Sequence, residues 1–154
     1  MSTQHLVLGK RIDFITGKII VDTHNERVRQ IIAKILINEK GFLKNDIELK
    51  RKIEINIEGN KGIVNVDFIV RVNGKVFMVI IFGPGSLVSR ERSTLAAARL
   101  VESYEVSYCV ITNENNAEVM ETRSGKVVDK GINAILSKKE ALKMFDTVLF
   151  ERLP

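Results

Sequence analysis

The chain has 154 residues, 45% of them hydrophobic and 28% charged, with two prolines and a single cysteine. That length buries a core without a metal or disulfide framework, and one cysteine excludes an internal disulfide. A formal net charge of +5 and a pI near 9.4 favour polyanionic partners, while no apolar run is long enough to span a bilayer.

The opening MSTQHLVLGK lacks a charged region followed by an apolar one, so the expectation is a cytoplasmic protein that forms one domain over residues 1–154 and no membrane association. Two β-prone runs, Arg11 to Ile15 and Lys18 to Val21, flank Thr16-Gly17 and predict a hairpin. Thr23 and Glu26 form a capping box, and Val28, Ile31, Ile32, Ile35 and Leu36 keep helical spacing until Gly41, which predicts a helix over 24–39. From Ile47 to Ile57 the odd positions 47, 49, 53, 55 and 57 are apolar and the even ones polar, the pattern of a strand with one wet face.

Gly59-Asn60-Lys61-Gly62 reads as a turn into a strand from Ile63 to Arg71. Strict alternation puts Ile63, Asn65, Asp67 and Ile69 on one face and Val64, Val66, Phe68 and Val70 on the other. Asn73-Gly74 makes a tight hairpin turn into the unbroken apolar run Val76 to Phe82, which must be covered on both faces and stops at Gly83-Pro84-Gly85. A helix is predicted over 88–103, carrying Arg90, Arg92 and Arg99, then a buried strand from Val106 to Ile111 reached by a helical crossover. Ala117 to Thr122 reads as an edge strand and Arg123 to Lys130 as a turn. Ser137 and Glu140 then form a second capping box at the start of a short helix. This order implies an α/β fold with a central mixed β-sheet flanked by helices.

Chemical motifs are few. His5 and His24 lack zinc-site spacing, Cys109 sits in an apolar segment as a reduced core residue, and Gly83-Pro84-Gly85-Ser86 lacks the Gly-Lys-Ser/Thr ending of a phosphate loop. An ordered set of short pieces carries more. Glu-Arg-Val-Arg-Gln at 26–30 on a capped helix is followed by Gly41-Phe42, Val66-Asp67, Gly74-Lys75, an apolar strand ending in Pro84-Gly85, a helix, and a strand closing in Thr112-Asn113. Over roughly residues 15–122 this set resembles the nuclease domain at the N-terminus of type I restriction enzyme R subunits, within the PD-(D/E)XK nuclease superfamily.

The resemblance implies a restriction-endonuclease-like fold and a partnership with DNA. It puts Asp67 at the metal-binding aspartate and Glu26 at the helix glutamate. The family's Glu-x-Lys, however, falls on Ile80-Ile81-Phe82, and the glutamine of the following helix falls nearest Leu95. Isoleucine offers no oxygen to Mg²⁺, and phenylalanine no charge to a scissile phosphate. The first reading is therefore a catalytically degenerate nuclease-fold domain that binds DNA through Lys50, Arg51 and Lys52 and through Arg90, Arg92 and Arg99. It would act in a DNA restriction or repair assembly, as a homodimer or with other subunits. Two alternatives stay open. One is an active Mg²⁺-dependent endonuclease with a rearranged centre, drawing on Lys75, the helix arginines, Glu91 or Glu102. The other is a protein-interaction module.

Overall fold

A computed structural model describes residues 9–145, so His5 lies outside the described residues. The central element is a six-stranded mixed sheet in the order β3-β4-β5-β6-β7-β8, built from Ile47–Ile57, Asn60–Val72, Lys75–Phe82, Tyr108–Thr112, Ala117–Glu121 and Val127–Lys130. Neighbours are antiparallel except β5 and β6, which run parallel. That parallel pair is joined by a crossover through helix α2 (Glu91–Ala98), because parallel strands cannot be linked by a tight turn.

Helices α1 (His24–Lys34) and α3 (Lys138–Phe145) lie on one face, where Ile32, Leu36 and Ala141 pack with Phe68, Val70, Ile80 and Val110. On the other face α2 sets Ala97 and Ala98 against Ile69, Val79, Ile81, Cys109 and Ile111. Between the two layers, β5 is buried at every position from Val76 to Phe82, as its unbroken apolar run demands. Cys109 is a free thiol at 0% exposure, and burial pushes its pKa up to about 11.

A separate two-stranded sheet, β1 (Lys10–Ile12) with β2 (Ile19–Val21), precedes α1 and is shorter than the predicted hairpin. Ion pairs anchor it: Asp22 accepts from Arg27 at 2.9 and 3.0 Å and from Arg11 at 3.0 Å. The Arg27 hydrogen bonds dominate in holding its carboxyl down at about 2. Gln30 on α1 closes the junction, accepting from the Phe14 N–H and donating to Asp13.

The predicted helix 24–39 is continuous but widens into a π-turn over Ile35–Glu39. Other expectations move further. The turn before β4 is Glu58-Gly59, both at positive φ, with Ile57 paired to Asn60, so β4 starts three residues before Ile63. Asn73 and Gly74 form the tight turn as predicted, at φ of 52° and 79°. The second helix is shorter than 88–103, since Val88–Arg90 is a 3₁₀ turn and Arg99 follows the last helical residue. Ala117–Glu121 is not an edge, because Val127–Lys130 pairs outside it as β8 where the sequence reads as a turn.

The strict alternation assigned to β3 and β4 also breaks. Leu49 and Phe68 pack with the α1 layer, whereas Ile53, Ile55, Val64 and Val66 pack with the α2 layer. Lys50 lies at the break with φ 54°, between the paired residues Leu49–Phe68 and Arg51–Val66. A left-handed residue turns the strand, so side chains two apart on either side of it face opposite layers. Asp67 is the residue across from this break, and the swap leaves an irregular step in the sheet where the site forms.

Candidate functional site

The site starts at the capped end of α1. Thr23 Oγ1 accepts the Glu26 N–H at 3.1 Å and satisfies a donor that the helix leaves open. Glu26 and Arg29, one turn apart, share the helix face toward the sheet, and Arg29 Nη1 lies 3.4 Å from Glu26 Oε2. Arg29 Nε then donates to Asp67 Oδ1 at 2.6 Å. The β4–β5 ladder ends at Phe68 and Ile80, so the Phe82 N–H has no strand partner on that side and donates instead to Asp67 Oδ2 at 2.6 Å. Asp67 is 4% exposed, and each of its oxygens is held by an N–H donor.

The Arg29 guanidinium also lies 5.5 Å over the Phe82 ring. A cation on an aromatic face, hydrogen-bonded to a carboxylate beneath, is a closed arrangement with little reason to open. Lys50 completes it, its Nζ 3.5 Å from Glu26 Oε2. The structure thus brings together Asp67, Glu26, Phe82 and Lys50. Ile80 shares the α1-layer face with Phe82, as its spacing of two predicts, and is fully buried in the core.

These residues do not fit a Mg²⁺ ion. Such a centre needs carboxylate oxygens facing a common point, and here both Asp67 oxygens are engaged by donors, Glu26 is drawn to two cations and Ile80 supplies none. Among the described residues, no three of His, Cys, Asp and Glu are grouped to hold a metal. The groups considered as replacements lie elsewhere, Arg90 excepted. Lys75 stacks on Tyr104 at 4.7 Å, Glu102 pairs with Arg51 and Arg71, and Glu91 faces Glu118. Burial and Glu91 together raise the pKa of Glu118, whose Oε1 is buried without a partner.

Two recesses open beside Arg29. One, of about 310 Å³, is lined by Arg29, Asn65, Asp67, Phe82, Arg90 and Thr94 among others. The other, of about 230 Å³, is lined by Lys50, Lys52, Asn65 and Val66 with Arg29 and Asp67. Of the two predicted basic sets, Lys50, Lys52 and Arg90 therefore border this region, and Lys52 and Arg90 have no carboxylate partner among the described residues. The other three are engaged away from it. Arg51 chelates Glu48 at 2.9 and 2.7 Å and donates to the Val101 carbonyl, Arg99 donates to the Thr122 and Arg123 carbonyls, and Arg92 pairs with Glu58 on the surface.

Sequence reasoning did not single out Arg29. The signal was its place one turn after Glu26 on a capped helix, which fixes it to the same face; the aspartate it meets is 38 residues on, beyond any local pattern.

Fold and site together define an α/β domain with a cation-bordered cleft at the C-terminal end of its central strand. Residues 24–135 match the family described as the type I restriction enzyme R protein N terminus, and the chain belongs to that family. The match covers the whole six-stranded sheet with α1 and α2, and leaves out the β1–β2 hairpin and α3. Neither a curated protein nor a solved structure matches the chain significantly.

Proposed function

We propose that this is a catalytically degenerate nuclease-fold domain of the PD-(D/E)XK type, which binds DNA without cutting it as one part of a restriction assembly. The observation that carries the reading is the state of Asp67, whose two oxygens are taken by Arg29 and the Phe82 N–H. The carboxylate that would hold a metal serves instead as the counter-ion of a helix arginine. The acidic position of the next strand, Ile80, is part of the core.

Binding is supported by the charge around the cleft, where Arg29, Lys50, Lys52 and Arg90 outnumber Asp13, Glu26 and Asp67. Phosphate contacts of this kind give an affinity that falls steeply with salt. Fluorescence anisotropy with a labelled duplex, titrated over a range of salt, tests the reading against the variant Lys50→Gln/Lys52→Gln/Arg90→Gln. The wild type should bind, and the variant should flatten the log–log salt slope by about 2 to 3. Absent binding at low salt, or equal slopes for the two proteins, would overturn it.

A further inference from the structure

We propose that the recess between Arg29 and Arg90 is a pocket for a single nucleoside monophosphate unit, either free or as the phosphorylated end of a DNA strand. The inference deepens the DNA-binding reading and rests on it in its strand-end form. The pocket's size sets the class of ligand. A space of about 310 Å³ holds one nucleotide, while a duplex could only lie across its mouth.

Its lining has a cationic part, an apolar part and the Asp67 carboxylate, whose oxygens are already taken by Arg29 and the Phe82 N–H. Arg29 on α1 and Arg90 before α2 come from different layers of the fold and both border the recess, as does Asn65 on β4. Ile55, Ile63, Val64 and Ile81 form the apolar side, suited to the flat face of a base. Two further observations point to an anion. Thr94 also lines the recess, is 1% exposed, and keeps a buried hydroxyl with no hydrogen-bond partner. A buried hydroxyl donor left without an acceptor is costly, and a phosphate oxygen held by the Arg90 guanidinium, with the Arg29 edge not bonded to Asp67 or Glu26 nearby, would satisfy it.

The second observation concerns how Arg90 is held. Its guanidinium lies against the backbone of Gly83, where any Cβ would overlap it, and Nη2 donates to the Pro84 carbonyl at 2.8 Å. One guanidinium edge is thereby fixed and the charge has no carboxylate partner among the described residues, so the remaining donors are available to a ligand. Gly83 is not at a positive φ, so a side chain there would meet the Arg90 guanidinium and no backbone strain.

The test uses the full chain and titrates three probes by calorimetry or anisotropy: inorganic phosphate, a deoxynucleoside monophosphate, and a short single-stranded oligonucleotide with or without a 5′- or 3′-phosphate. The pocket predicts that a terminal phosphate tightens oligonucleotide binding at least tenfold, and that the mononucleotide binds more tightly than inorganic phosphate. Binding of the mononucleotide without any terminal-phosphate effect on the oligonucleotide would assign the pocket to the free nucleotide. Arg90→Gln and Thr94→Val should each remove most of the gain. Gly83→Ala, which keeps every charge and displaces the Arg90 guanidinium, should do the same with an unchanged far-ultraviolet circular dichroism spectrum. Equal affinities for phosphorylated and unphosphorylated probes together with no mononucleotide binding would overturn the inference, and intact salt-dependent duplex binding in that case would leave the broader reading standing.

Discussion

If Asp67 is the counter-ion of Arg29, the two side chains should be energetically coupled, and a double-mutant cycle measures that coupling. Arg29→Met removes the guanidinium and keeps most of the apolar stem over Phe82, while Asp67→Asn removes the charge and keeps an oxygen for the Phe82 N–H. Charge centres about 4 Å apart interact by about 4 kcal/mol at an effective dielectric of 20. Arg29 is 25% exposed and Asp67 only 4%, so solvent screening reduces this to about 2 kcal/mol of coupling. Arg29→Met alone should cost about 3 kcal/mol, because it strands a buried carboxylate. Urea unfolding followed by circular dichroism gives each corner of the cycle. The double variant should be about 2 kcal/mol more stable than the sum of the single losses predicts. A coupling below about 0.5 kcal/mol would refute the counter-ion argument.

Three further outcomes follow from local chemistry. Lys50 adopts φ 54° at the layer swap, so Lys50→Gly should stabilise the protein by about 0.5 kcal/mol and Lys50→Val destabilise it by more than about 1 kcal/mol, read from urea midpoints; the reverse order would remove the swap from the account. Glu118 has a raised folded-state pKa, so its cost to stability is absent at pH values below the ordinary glutamate range and complete above its folded value, with Glu91 and Lys130 as its charged neighbours. Glu118→Gln should therefore melt higher than wild type at pH 8 and converge with it near pH 4. Asp22 is depressed to about 2 from 3.8, so its contribution is present above about pH 4 and lost as pH falls through about 2; Asp22→Asn should lower the melting temperature at pH 7 and close the gap below pH 2.

Much of the fold was legible because it rests on short-range pattern. The run from Val76 to Phe82 could only be a strand covered on both faces, and Asn73-Gly74 could only turn it back on its neighbour. The second capping box is present as read, with Glu140 Oε1 accepting the Ser137 N–H at 3.0 Å. β8 was missed because Val127 to Lys130 has a single apolar step, too little for a period of two to register. The layer swap was missed for a different reason: alternation assumes that every residue stays extended, and one lysine at positive φ breaks that assumption with no mark in composition.

The site was half legible for a similar reason. Asp67 and Phe82 were placed together by strand order and turn length, which are local. Ile80 shares a face with Phe82 as its spacing of two requires, but it pairs with Phe68 inside the ladder and is fully buried, while Phe82 lies beyond the ladder's end. The six candidate arginines and lysines share one charge, and only tertiary contacts separate Arg51 and Arg99, which brace carbonyls, from Lys52 and Arg90, which border the cleft.

Calorimetric titration of Mg²⁺ and Mn²⁺ into the wild type and into Asp67→Ala, with duplex cleavage followed in the same buffers, decides whether Asp67 is a counter-ion or a metal ligand. With Asp67 held by Arg29, neither protein should show a saturable site tighter than the millimolar range, the two should not differ, and the duplex should be bound and left intact. A metal site that vanishes in Asp67→Ala, accompanied by nicking that vanishes with it, would contradict it.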